Sequence, residues 1–131
     1  MPKLTSSLAL LAVLAVTPAL AAARPTGEAK LQKMIEGRTA GQPVDCLPLL
    51  GPATSSTSIE GVGEVFGSGR TIYVNRFEGG CPSLTPFTTV VTRSPTGQMC
   101  RGDIARIVDL TSRIESGSCS LGKFTPYSKA K

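Results

Sequence analysis

The sequence predicts an α+β domain in which one amino-terminal helix accompanies a mainly antiparallel β-sheet of about four to six strands, with two disulfides as cross-links. Three observations carry that prediction. One segment has helical apolar spacing, the segments after it have strand-like composition between glycine and proline turns, and the cysteines are four in number.

Residues 1–23 read as a secretory signal peptide. Lys3 marks the positive end, Leu8 to Val16 form a short apolar run, and Ala19-Leu20-Ala21-Ala22-Ala23 offers small residues for cleavage after Ala21 or Ala23. The apolar run is shorter than the roughly 20 residues of a transmembrane helix, and Thr17-Pro18 interrupts it. No Cys follows the small residues to carry a lipid, and no later segment is long and apolar enough to span. Residues 24–131 then form a single small exported domain, periplasmic or secreted.

The helix is expected over Thr26 to Gly37. Thr26 can cap it, Glu28 suits its positive end, Leu31, Met34 and Ile35 share a face, and Gly37 can end it. Lys30 and Lys33 fall on the solvated side. Pro43, Pro48 and Pro52, with the polar run Thr54 to Ser58, make an irregular connector.

Strand patterns follow. Ile59 to Phe66 and Thr71 to Phe77 flank Gly67-Ser68-Gly69-Arg70 as a hairpin, with Ile72 and Val74 on one side of the second arm and Tyr73, Asn75 and Phe77 on the other. Phe87 to Arg93 is a Thr- and Val-rich strand ending at the turn Ser94-Pro95-Thr96-Gly97. Ile104 to Leu110 is assigned as a strand in preference to a helix over Ile104 to Ile114, and Cys119 to Tyr127 as another, with Ser112 to Ser118 separating them.

Cys46, Cys81, Cys100 and Cys119 all lie in the exported portion, where an oxidising compartment favours two disulfides. A four-thiolate zinc site ordinarily pairs its ligands about two to four residues apart, far closer than any two cysteines here. Three connectivities remain open at this point.

Composition narrows the chemistry. Histidine is absent, which removes Ser-His-Asp and Cys-His nucleophiles and every imidazole metal site. Seven acids (Asp45, Glu60, Glu64, Glu78, Asp103, Asp109 and Glu115) follow the connector's start, but carboxylates in such numbers ordinarily coat a surface. Gly61-Val62-Gly63 lacks the third glycine of a dinucleotide loop and reads as bulge or close-packing glycines inside a strand. Arg101-Gly102-Asp103 matches an adhesion tripeptide, yet beside Cys100 it reads as a tight turn.

The net charge is +5, falling by one when Lys3 leaves with the signal. The cations of the exported portion include Lys30, Lys33, Lys123, Lys129, Lys131, Arg38, Arg70, Arg76, Arg93, Arg101, Arg106 and Arg113. That balance favours anionic envelope polymer or lipid as partner, or an exported protein, and no aromatic-rich basic stripe supports nucleic acid.

Gly37-Arg38-Thr39-Ala40-Gly41 with Pro43-Val44-Asp45-Cys46, then Tyr73-Val74-Asn75-Arg76, Cys100, Ser120-Leu121-Gly122-Lys123-Phe124 and Pro126-Tyr127 carry a resemblance over most of the exported portion. In these segments the chain resembles a group of small uncharacterised exported bacterial proteins to which no function is assigned. The group shares Cys46 and Cys100 and usually lacks partners for Cys81 and Cys119, so the resemblance implies the pairs Cys46–Cys100 and Cys81–Cys119.

The expected function is non-catalytic: a small exported binding or envelope-associated protein with no cofactor, no metal and no catalytic residues. Two alternatives stand beside it. One is a histidine-free enzyme using Asp45, Arg76 and Asp109; the other is an inhibitor of an exported hydrolase presenting the segment Cys81 to Pro86 as a rigid loop.

Overall fold

The computed structural model describes residues 26–131, so the signal peptide expected over residues 1–23 lies outside the described residues. Helix α1 spans Gly27–Ile35. Ten strands follow: β1 Arg38–Ala40, β2 Cys46–Pro48, β3 Ser56–Ile59, β4 Gly61–Phe66, β5 Thr71–Cys81, β6 Thr88–Thr92, β7 Gln98–Cys100, β8 Ile104–Asp109, β9 Glu115–Ser120 and β10 Phe124–Lys129. A 3₁₀ turn covers Pro52–Thr54.

The helix forms where its spacing predicts. The Thr26 hydroxyl accepts from the Ala29 amide at 3.2 Å, one of the orphan donors of the first turn, and Leu31 is buried. Leu31 packs with Ile59, Val65, Ile72 and Val74, supported by Met34, Ile35 and Tyr127.

Eight strands form one antiparallel sheet in the order β1-β10-β5-β9-β8-β6, with β4 also on β5 and β3 on β4; β2 and β7 form a separate ribbon. Strand β5 is the organiser. Its first half pairs with β10 and β4, and its far end reaches β9 through Glu78 opposite Ser120. Gly79 and Gly80 sit at φ 73° and 77° there, a conformation open to glycine that lets the strand bend away from the first half of the sheet.

Alternation along β5 builds two cores. Ile72 and Val74 face the helix, whereas Phe77 faces a larger cluster with Leu47, Phe66, Cys81, Leu84, Met99, Ala105, Ile107, Leu121 and Phe124, with Tyr73 packed against it. Phe66 and Phe124 meet at a centroid distance of 5.8 Å and a 54° tilt, an edge-leaning contact. The ribbon β2–β7 supplies Leu47 and Met99 to this cluster.

Both disulfides form as the resemblance implies: Cys46–Cys100 and Cys81–Cys119. The first joins directly opposed residues of β2 and β7. The second ties the end of β5 to β9. No free thiol remains among the described residues, which removes the thiolates a zinc site would need.

Several elements differ from expectation. The strands are more numerous than four to six, because short pairings add to the long ones. The connector after Gly41 contains β2 and most of β3, and β1 precedes it. The predicted strand from Ile59 divides, Ile59 closing β3 while β4 starts at Gly61. The segment Cys119 to Tyr127 likewise breaks at residues 121–123, and β9 begins at Glu115, inside the expected separator. These segments are rich in Ser, Thr, Gly and Pro and carry little apolar alternation, so their pairing partners, distant in sequence, decide their state. Ile104 to Leu110 is strand as assigned, with Ala105 and Ile107 inward.

Gly63 is the close-packing glycine the sequence indicates. The β4–β5 register shifts between Gly61 and Gly63, and a Cβ on Gly63 would overlap the Asn75 carbonyl oxygen. Arg101-Gly102-Asp103 is a tight turn, closed by the Asp103 amide on the Cys100 carbonyl at 3.0 Å and by the Cys100 amide on the Asp103 carboxylate at 2.8 Å.

Candidate anion-binding face

The edge formed by β1 and β10 gathers cations from four separate parts of the chain. Arg38 on β1 lies opposite Lys129 on β10, which places both beside the turn that ends at Arg70. The Arg38 guanidinium donates to the carbonyls of Arg70 at 2.7 Å and Gly69 at 3.2 Å. Arg70 in turn donates through Nε to the Lys129 carbonyl at 3.3 Å, and the Lys129 amide donates to the Arg70 carbonyl at 3.1 Å. Backbone carbonyls thus hold the arginines in place while neutralising neither.

The Arg38 Nε is buried without a hydrogen-bond partner among the described residues. Next to Arg38, an open cleft of about 510 Å³ runs along the end of the helix, lined by Gln32, Lys33, Ile35, Glu36, Gly37, Arg38 and Tyr127. Lys33 lies in the last turn of α1, where the carbonyl end of the helix favours a cation. Glu36 is the acid on the cleft wall. Among the described residues, none of Lys33, Arg38, Arg70 and Lys129 has a carboxylate within ion-pair distance.

Several cations elsewhere are engaged. Arg76 clamps Glu28 with two bonds of 2.8 and 2.6 Å, which hold the Glu28 carboxyl below its usual range. Arg101 pairs with Glu78 at 2.8 Å and Arg106 with Glu115 at 3.3 Å. Such exposed pairs add little stability individually; at the β1–β10 edge four cations without an ion pair among the described residues come together.

The residues weighed for an enzyme are not assembled. Asp45 lies near Lys123 at 3.9 Å, Arg76 is held by Glu28, and Asp109 closes its own turn. The Asp109 carboxylate accepts from the Ser112 amide at 2.7 Å, the Thr111 amide at 2.9 Å and the Ser112 hydroxyl at 3.1 Å, which lower its pKa. Nor does the segment Cys81 to Pro86 project: Leu84, 2% exposed, is packed into the larger core, and its carbonyl accepts from the Gly61 amide at 2.9 Å. Among the described residues no group of three acids or cysteines is placed to hold a metal ion.

No family model, curated protein or solved structure matches the chain. The chemistry of the face therefore carries the functional argument.

Glu64 departs from the surface role expected of the seven acids. It is 6% exposed on β4 and accepts only weak bonds from the Ser58 and Ser56 hydroxyls at 3.3 and 3.4 Å, so burial pushes its pKa up. The folded state therefore binds this proton more tightly than the unfolded chain. Stability falls as pH rises from the ordinary carboxylate range through the raised folded value. Glu64→Gln is expected to match the parent near about pH 4 and to exceed it increasingly toward neutrality, measured by urea unfolding across pH. A difference independent of pH contradicts this assignment. An alternating pattern hides such a residue, since Glu64 stands between Gly63 and Val65 in a strand polar on neither face.

Proposed function

We propose that this protein is a non-catalytic exported binding module, periplasmic or secreted, that holds an anionic envelope polymer through the β1–β10 face. The observation that carries this reading is the uncompensated cluster of Lys33, Arg38, Arg70 and Lys129 beside an open cleft. Repeated carboxylates or phosphates along a polymer match a row of cations better than one isolated charge does, and the contact weakens with salt. Two disulfides agree with an oxidising compartment, and no described helix is long and apolar enough to cross a membrane. The segment Gly37 to Gly41, part of the resemblance to exported bacterial proteins, supplies Arg38 itself.

Co-sedimentation with isolated cell wall tests the reading, with vesicles of anionic and of neutral lipid as parallel arms. Retention on cell wall at low salt, falling as salt rises, is expected. Arg70→Glu with Lys129→Glu, both exposed positions, is expected to cut retention at least about tenfold, because two attractive charges become repulsive. Retention on anionic vesicles alone would move the ligand to lipid. Absence of retention on both surfaces at low salt would dismiss the proposal.

A further inference from the structure

Strand β6 ends the sheet order, so its outer edge has no partner among the described residues. Natural sheets protect such edges with charge, proline, bulges or brevity. The other open edges of this sheet have that protection: β1 is three residues long and carries Arg38, and β3 packs against α1, where Lys30 donates to the Ser58 carbonyl at 3.1 Å. β6 has none of it. Its sequence is Thr88-Thr89-Val90-Val91-Thr92, uncharged and regular along its pairing with β8, and flanked by Phe87 at 67% exposure.

The peptide groups facing outward follow from the bonds facing inward. The Leu110 amide donates to the Phe87 carbonyl at 2.9 Å, and the Asp109 amide points the other way, to the Ile114 carbonyl beside β9. Hydrogen-bonded pairs alternate along an antiparallel ladder, so Phe87, Thr89 and Val91 direct their peptide groups at β8, while Thr88, Val90 and Thr92 direct theirs outward. The Thr88 amide is already used by the Thr85 carbonyl at 3.2 Å.

We propose that β6 is a self-association surface, pairing antiparallel with β6 of a second copy of this chain in a register centred on Val90. The segment is self-complementary about that residue. A two-fold axis at Val90 sets Val90 against Val90, Thr92 against Thr88, Thr89 against Val91 and Phe87 against Arg93 of the second copy. The outward groups then form about four backbone hydrogen bonds: Val90 to Val90 in both directions, and each Thr92 amide to a Thr88 carbonyl. On the outer face, Thr and Val meet across the strands, a favourable cross-strand pair.

At each end of the pairing an arginine lies over a phenyl ring. Arg93 is exposed and has no ion pair among the described residues, and Phe87 is the ring it would cover. The pairing also covers Val91, 38% exposed. β6 and β1 stand at opposite ends of the sheet order, so association through β6 leaves the basic face free.

The test is sedimentation velocity of the disulfide-intact protein over a wide concentration series. A concentration-dependent dimer is expected. Thr89→Lys with Val91→Lys places lysine against lysine across the axis on outward-facing positions and is expected to leave a monomer with an unchanged circular dichroism spectrum. Thr89→Lys with Val91→Glu places opposite charges across the same axis and is expected to restore the dimer. A parent that stays monomeric throughout the series overturns the proposal, including when another protein is found to occupy β6. A dimer that survives the double lysine change, or a Lys/Glu variant that stays monomeric, overturns the Val90-centred register on which it rests.

Discussion

Removing the Cys81–Cys119 bridge by Cys81→Ala with Cys119→Ala is expected to cost about 3 to 5 kcal/mol, a large share of the stability of a domain this small. The bridge closes a separation of 38 residues, and chain entropy alone assigns about 4 kcal/mol to a loop of that size. Cys46–Cys100 closes 54 residues and carries a similar entropic value. Location separates the two. Cys81 is fully buried in the larger core between Phe77 and Leu84, so its truncation also leaves unfilled volume. Cys46 and Cys100 are half-buried on the ribbon.

The two bridges interleave along the chain, Cys81 lying within the loop closed by Cys46 and Cys100. Each bridge shortens the effective loop that the other closes, so losing both is expected to cost more than the sum of the single losses. Urea unfolding of the parent and the three bridge variants checks the order. A smaller loss for Cys81–Cys119 than for Cys46–Cys100 would show that loop closure, not core burial, dominates.

The second large effect is expected at Asn75. This side chain is fully buried on β5; its amide donates to the Gly122 carbonyl at 2.9 Å and its carbonyl accepts from the Gly122 amide at 3.0 Å. Residues 121–123 break the chain between β9 and β10, and Asn75 supplies the two partners that a continuous strand would have found in its neighbour. Asn75→Ala strands both Gly122 groups, and each unsatisfied buried group costs about 1 to 3 kcal/mol. A loss of about 3 kcal/mol or more is expected, read from the urea midpoint at an unchanged slope. Asn75→Asp keeps the acceptor, loses the donor and buries a charge, so it is expected to recover little. A loss below about 1 kcal/mol for the alanine variant would mean that water replaces the amide.

Both effects depend on where the chain comes together, and the sequence was readable only in part. The helix was legible because its signal is local: a threonine cap, an acid in the first turn and three apolar residues on one face. The β4–β5 hairpin was legible through its glycine turn and the alternation of Ile72 and Val74 against Tyr73 and Phe77. The larger core drew on patterns that local reading could not join. β1 pairs with β10 from the opposite end of the chain, and β2 finds β7 across the loop that Cys46 and Cys100 close. Three-residue strands carry too little periodicity to declare themselves.

The basic face was visible only as dispersed charge. Lys33 belongs to the helix, Arg38 to the strand after it, Arg70 to a hairpin turn and Lys129 to the last strand. Nothing in their spacing brings them together. The β1–β10 pairing sets Arg38 against Lys129 beside Arg70, while contacts elsewhere in the fold bring Arg76, Arg101 and Arg106 against acids. The same distinction holds for Asp45, Arg76 and Asp109, which are equivalent in a list of polar residues and separate in the fold.

Local composition and spacing were thus sufficient for the class of the domain, its helix, its main hairpin and its even set of cysteines, because each depends on neighbours within a few residues. The clustering of cations, the burial of Glu64 and the dependence of Gly122 on Asn75 arise from contacts between distant segments. Their energies are set by geometry that forms when the sheet closes, and charge or burial has no value at a residue until its neighbours in space are known.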